Sequence, residues 1–576
     1  MSSQATTVRQ TGLYTTPTLE NFFSKEELPT TFQEYQKSFF ENFRVQNIIR
    51  ENKPKTFPSL AYLCLEDLVI KTIEDKYHKA PIEELVHFAA TFNSSRIITN
   101  LSEKTRKSID ELLNLNYKGT FPCHTAAKTN SLFFIRSMIS LLADPIKTLI
   151  IPNNKGMTPL DYAAREGHIN ICQLLTNLPG IELQTLIRPN KPKMTPLYHA
   201  AGRGHLDICK FIIKHPRIEL QTIMQPDSNG FTPLHLATEG GHLDTCQFLT
   251  SLPEIEPQTT MYPDCDGKTP LHYAAAEGHP DICKLIINLP GIELQTSMQP
   301  DSYGLNPIHY AAKCGLLEVF ELLINYPGIE LQTLIQPNKY GRTPLHHAAR
   351  EGHSNICMLI INHPGIELQT LMHPDCDGSN PLHYAAKSGL LEVFQLLITR
   401  PGIELQTLIQ PNENKRTPLH YAAREGHLDI CKLIINHPRI ELQTSMQPDS
   451  YGFNSLHFAA MMGHLDICQF IIKHPRIELQ TSMQLDSDGS NPLHYAAAEG
   501  HPDICKLIIN HPGFDLQIAM QNNKKGETPS DLAEKNGHQI IFELIEKKLA
   551  LANSLSQPEI PLPDEDGDLF FDCEGS

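Results

Sequence analysis

Histidine and cysteine are the side chains best able to do chemistry here, with 28 and 14 copies. Imidazole could hold zinc, and a thiolate beside a base could act as a nucleophile. Spacing decides between those uses and plain construction. Eight cysteines (Cys172, Cys209, Cys246, Cys283, Cys357, Cys431, Cys468, Cys505) occupy one position of a repeating pattern, where Phe320, Phe394 and Phe542 stand in other copies. A position that exchanges Cys for Phe is an apolar packing position. The histidines fall mainly into two series, one represented by His235, His272 and His309, the other by His168, His205 and His242. Stacked helices lie about 8–10 Å apart. Zinc needs its nitrogens at about 2.0–2.1 Å, and a disulfide needs Cα atoms within about 7 Å. Neither series suits a metal, and the cysteine column does not suit bridging. Cys64 and Cys123 stand outside the column, with no catalytic motif around them. Phosphate loops, nucleophile elbows, metallopeptidase helices and kinase motifs are absent from the sequence. No catalytic, cofactor-binding or metal residue is expected.

The elements that carry these residues follow from one tetrad of the Thr/Asn-Pro-Leu-His type. It begins at Thr158, Thr195, Thr232, Thr269, Asn306, Thr343, Asn380, Thr417, Asn454, Asn491 and Thr528, every 37 residues. A degraded copy, Phe121-Pro122-Cys123-His124, precedes the first by the same interval. A fixed period of this size means stacked supersecondary units. Within one unit, Asp266-Gly267 signals a turn, Thr269 a helix N-cap and Pro270 the first helical position. Leu271, Ala274 and Ala275 mark a buried face, and Gly278 an end. A second helix runs from Asp281 to Asn288, and Pro290 stops it. An extended finger, Gly291 to Thr296, leads to the next turn. The units from Asn306 and from Asn380 share 29 of 37 residues, which suggests duplication of a two-unit block.

The run D-G-K-T-P-L-H-Y-A-A-A-E-G-H-P-D-I-C-K-L-I-I resembles an ankyrin repeat, normally a 33-residue unit of a turn and two antiparallel helices. The resemblance covers roughly residues 117 to 550. It implies an all-α ankyrin solenoid of about twelve units with extended finger loops, preceded by a small α-helical region. Each unit exceeds the family length by four residues, which lengthens the finger. Lys193 and Lys415 replace the turn glycine, so distorted turns are expected there. By the same resemblance both histidine series are structural and make local hydrogen bonds.

The expected organisation is a flexible N-terminus over 1–28, a helical region over 29–116, the repeats over 117–550 and a disordered acidic tail over 551–576. Candidate helices in the second segment are Phe32–Asn52, Ser59–Lys76, Pro81–Phe92 and Glu103–Leu115. The formal charge is −17. Seven acids and no Lys or Arg lie between Ser556 and Ser576, where Leu569-Phe570-Phe571 sits among carboxylates. No basic cluster favours nucleic acid. No signal-peptide core or membrane span is legible, so a cytoplasmic, monomeric protein without membrane or cofactor partners is expected.

Recognition positions should differ between units. Two such sets face the concave surface by resemblance: one before the tetrad (Phe231, Arg342, Arg416, Phe453), one between the Ala pair and the following Gly (Arg350, Lys387, Arg424, Met461, Met462). They nominate a non-catalytic scaffold that binds one or more proteins. Competing expectations are a ubiquitin-ligase substrate adaptor recruiting through residues 29–116, suggested by Phe57 to Leu65, and a bacterial effector exported into a host cell through its acidic tail. An enzyme is the remaining alternative, with any activity confined to residues 1–120.

Overall fold

A computed structural model describes residues 32–41, 60–76, 79–181, 187–216, 225–252, 261–290, 298–399, 409–438 and 446–555. The expected flexible N-terminus and nearly all of the acidic tail lie outside them. The chain divides into two compact units, Met1–Ser302 and Tyr303–Ser576. The architecture is all-α. Among the described residues there is no strand, only an isolated bridge between Tyr117 and Thr120.

One layer of the second unit shows why the sequence folds this way. Asn338 turns the chain by accepting the amides of Tyr340 and Arg342 on its Oδ1, both at 2.9 Å. Thr343 is extended and caps the first helix, Pro344–Glu351. Gly352, at φ +90°, ends it. The second helix, Ser354–Asn362, returns antiparallel. First helices pack on neighbouring first helices: Pro344–Glu351 lies between Pro307–Cys314 and Pro381–Lys387. Second helices do the same, with Ser354–Asn362 between Leu317–Ile324 and Leu391–Thr399. Ala348 and Ala349 are fully buried, because a small side chain lets the flanking helices approach. The eight column cysteines are buried as well, beside Phe320 and Phe394 in the same role. Burial pushes thiols such as Cys357 up to about 12, so they behave as small hydrophobes.

The finger differs from expectation. In the described copies its centre is a short third helix: Pro145–Leu149, Leu331–Ile335, Leu368–Leu371, Leu479–Ser482 and Leu516–Met520. The last four begin Leu-Gln and hold no Gly or Pro, whereas Pro145–Leu149 takes its proline at the first position, where it is tolerated. An acidic residue in extended conformation stands before three of these helices, Glu330, Glu478 and Asp515. Asp515 accepts the Gln517 amide at 3.0 Å. The additional residues therefore shorten the finger into a helical turn, whose Leu334, Leu371 and Met483 are buried. The other fingers, including Gly291 to Thr296, lie outside the described residues.

Two further expectations are corrected. The helix expected over Glu103–Leu115 is two pieces, Ser95–Thr105 and Ile109–Leu113. Arg106 breaks the chain at φ +57°, and Ser108 starts a new helix through a capping box with Glu111. Lys193 and Lys415 do not distort their turns. They take the left-handed conformation of the missing glycine, φ +65° and +56°. Each donates its amide as that glycine would, Lys193 to Asn190 O and Lys415 to Asn412 O, both at 2.8 Å.

In the first unit the helical region buries an aromatic cluster. Phe39 meets Phe88 and Phe92 edge-on, and Tyr62 stacks on Phe92 at 5.3 Å. Asn93 accepts the Phe134 amide at 2.8 Å, joining this region to the degraded unit. No described helix is long and apolar enough to cross a membrane.

Candidate partner-binding face

The eleven tetrad residues all stand as helix N-caps in extended conformation, from Thr158 to Thr528. Thr and Asn cap differently. Asn454 accepts the amides of Leu456 and His457 at 3.0 and 3.1 Å. The Asn454 amide also donates to His457 Nδ1 at 3.1 Å, and the Thr417 layer keeps only that second bond. The Thr417 amide donates to His420 Nδ1 at 3.1 Å, with the hydroxyl 2.8 Å from the same nitrogen. Accepting on Nδ1 leaves the proton on Nε2. His420 Nε2 then donates to Phe453 O of the next layer at 3.1 Å. His235, His383 and His457 reach the carbonyls of Lys268, Arg416 and Ser490 in the same way. These members of the first histidine series are therefore inter-layer fastenings, beyond the local role expected of them, whereas His346 Nε2 is buried without a hydrogen-bond partner among the described residues. Burial holds these rings neutral, pushing His420 down to about 4. Even the degraded unit conforms, since His124 Nε2 donates to Met157 O at 2.9 Å.

The second histidine series points the opposite way along the stack. His427 Nε2 donates to Lys387 O at 3.0 Å, His464 to Arg424 O at 2.9 Å and His501 to Met461 O at 3.2 Å. Where Leu390 replaces this histidine, Ser388 Oγ donates to Arg350 O at 2.8 Å instead. Where the next layer carries this histidine, the glycine ending the first helix makes room for the ring: a Cβ on Gly426 would lie 2.7 Å from His464 Cε1.

The Tyr slot after the tetrad is absorbed too. Tyr273, Tyr384 and Tyr495 donate to Asp264, Asp375 and Asp486 of their own turns at 2.6, 2.6 and 2.5 Å. Among the described residues, no group of three or more His, Cys, Asp or Glu side chains could hold a metal ion.

What remains outside this framework is the variable set, and the structure divides it. Arg342 donates to Asp375 at 2.9 Å and Asp377 at 2.7 Å. Burial alone would raise the Asp375 carboxyl, but bonds from Tyr384 and Arg342 outweigh it and hold it low. Arg416 pairs with Asp449 at 2.9 Å. Phe231 packs on His235 and Tyr273, and Phe453 on His457, Phe458 and Tyr495. These four positions before the tetrad are committed to neighbouring layers. The other set is freer. Lys387 is exposed, and no ion pair engages it among the described residues. Among the described residues the ion pair of Arg350 is with its chain neighbour Glu351, at 3.7 Å. Arg424 Nε is buried without a hydrogen-bond partner among the described residues. Met461 is half-buried, and Met462 is 46% exposed. Lys313, a member of the same variable set one unit before Arg350, is exposed and begins the basic series Lys313, Arg350, Lys387, Arg424.

Capped helix pairs fastened layer to layer by histidine define a helical repeat stack. Family models agree: a model of ankyrin repeats in three copies matches residues 86–186, 181–261, 251–335, 329–409 and 404–482, and one of many copies matches 456–509. The chain belongs to the ankyrin-repeat family. No curated protein matches it at significant similarity.

Proposed function

We propose that the chain is a non-catalytic scaffold, built of eleven 37-residue units and one degraded unit over residues 117–550, that binds a protein partner on the first-helix ends of its second unit. The observation that carries this is the division of side chains just described. His is spent on layer-to-layer bonds and Tyr and Asp on the turns, while Arg350, Lys387, Arg424 and Met461 are held by their carbonyls and, with Met462, present side chains left without strong partners. Exposed Met and Arg are enriched at interfaces. A basic row ending in methionines suits an acidic segment bearing apolar side chains. Free buried thiols suit a reducing compartment, in keeping with a cytoplasmic setting. The helical region over 29–116 is proposed as a cap. Tyr62, Leu65, Val69 and Ile73 of Leu60–Lys76 are buried within it, which leaves the ligase-adaptor reading without that helix's apolar face.

Proximity labelling with the full chain in its native cell tests the proposal. Met461→Glu with Met462→Glu should remove a defined subset of labelled proteins while the helical circular dichroism stays unchanged. An identical labelled set from both chains would overturn the assignment.

A further inference from the structure

We infer that the acidic segment 556–576 of this same chain docks on the row formed by Lys387, Arg424, Met461 and Met462, and so competes with a partner for it. The inference rests on the docking reading above and adds its regulation. Three observations support it. The first is chemical fit. The row offers two cations, one with a buried and unpartnered Nε, followed by two methionines with Met462 exposed. The segment offers Leu569-Phe570-Phe571 followed by Asp572 and Glu574. Aromatic rings on methionine sulfur and carboxylates on guanidinium and ammonium are favourable pairings.

The second is order. Moving along the stack away from the last layer, the methionines come before Arg424 and Lys387. Moving along the segment away from Leu555, the aromatic residues come before Asp572 and Glu574. Five further acids, Glu559, Asp564, Glu565, Asp566 and Asp568, precede the aromatic residues, so the order matches for Asp572 and Glu574 only. The third is reach. Met461 lies two layers from the Thr528 layer, about 20 Å at about 10 Å per layer. The last helix, Gln539–Leu555, has 17 residues and carries the chain about 25 Å across the layer. Phe571 is 16 residues beyond Leu555, a span of up to about 50 Å. Glu425, exposed beside Arg424, offsets part of the attraction. The electrostatic part should therefore be salt-sensitive, with the aromatic residues supplying the rest.

Carbodiimide cross-linking of the full chain, read by mass spectrometry, tests this. Wild type should give intramolecular amides between Lys387 and the peptide carrying Asp572 and Glu574. Phe570→Ser with Phe571→Ser, and separately Met461→Glu with Met462→Glu, should each cut that yield several-fold and leave links to Lys547 and Lys548 unchanged. Links to Lys547 and Lys548 alone would overturn the inference, as would equal yields at Lys387 and at Lys506 on a second helix. In a mixture of isotopically light and heavy chains, mixed links would overturn it in favour of a second copy. Failure here with partner labelling still sensitive to Met461 and Met462 would discard the segment and keep the docking face. Cross-links present while labelling ignores those residues would discard the docking face as a partner site.

Discussion

At the scale of residues, glycine and histidine form a matched pair across layers. Gly426 is left-handed and faces the His464 ring, whereas Gly352 is left-handed with nothing within 4 Å of a built Cβ. The difference arises because Leu390 stands where the next layer's histidine would be. Gly352→Ala should therefore cost only the backbone penalty, about 1–2 kcal/mol. Gly426→Ala should cost clearly more, since the ring must move and its bond to Arg424 O weakens. Urea unfolding midpoints of the two variants check the ordering. The first histidine series sets the response to acid. Burial pushes His124, His235, His346, His383, His420 and His457 down to about 4, against about 6.5 in the unfolded chain. Between those values the unfolded chain binds more protons. Stability should be full above about pH 6.5 and fall by on the order of several kcal/mol as pH drops to 4. Asp161 and Glu66, which burial raises to about 7, act in the opposite sense but are fewer. Thermal midpoints across pH 4–8 check the direction; a midpoint that rises on acidification would contradict it.

At the scale of elements, the first helix was fully legible. An N-cap, a proline at the first position, an Ala pair and a glycine each have one physical use, and together they fix both ends of Pro344–Glu351 and its copies. The third helix was not legible as a helix. A stretch of only four or five residues carries too little periodicity to separate one helical turn from a finger. Its N-cap position is Glu rather than Thr or Asn in two copies, which hides the start. The break at Arg106 was equally hidden, because a non-glycine residue in left-handed conformation leaves no mark in the sequence. Lys193 and Lys415 show the same thing in reverse. Their turns are kept by the Asn at position one: Asn412 accepts two amides and Asn190 accepts that of Met194, so the missing glycine costs strain rather than shape. Lys415→Gly should stabilise the chain by about 0.5–1 kcal/mol, after the larger unfolded-state entropy of glycine offsets part of the relief. A raised urea midpoint with unchanged slope is the expected reading.

At the scale of the whole molecule, the candidate site was partly legible. Variation between units nominated candidate recognition positions, but it could not see ion pairs. Arg342, Arg416, Phe231 and Phe453 vary and yet serve the stack, because their partners sit in the next layer, 33 residues or more away in sequence. Arg350, Lys387, Arg424, Met461 and Met462 vary and stay available. Four of these five, Arg350, Lys387, Arg424 and Met461, accept framework bonds on their carbonyls while their side chains face the surface. That separation is open to one direct measurement, the thermal unfolding midpoint of two triple variants of the full chain. Lys387→Glu with Arg424→Glu and Met461→Glu changes only side chains on the face. His427→Gln with His464→Gln and His501→Gln removes the bonds to the carbonyls of those same three residues. The first should stay within about 2 °C of wild type, and the second should fall by several degrees, at about 1 kcal/mol per lost bond. Equal losses in the two, or a larger loss in the first, would contradict the account.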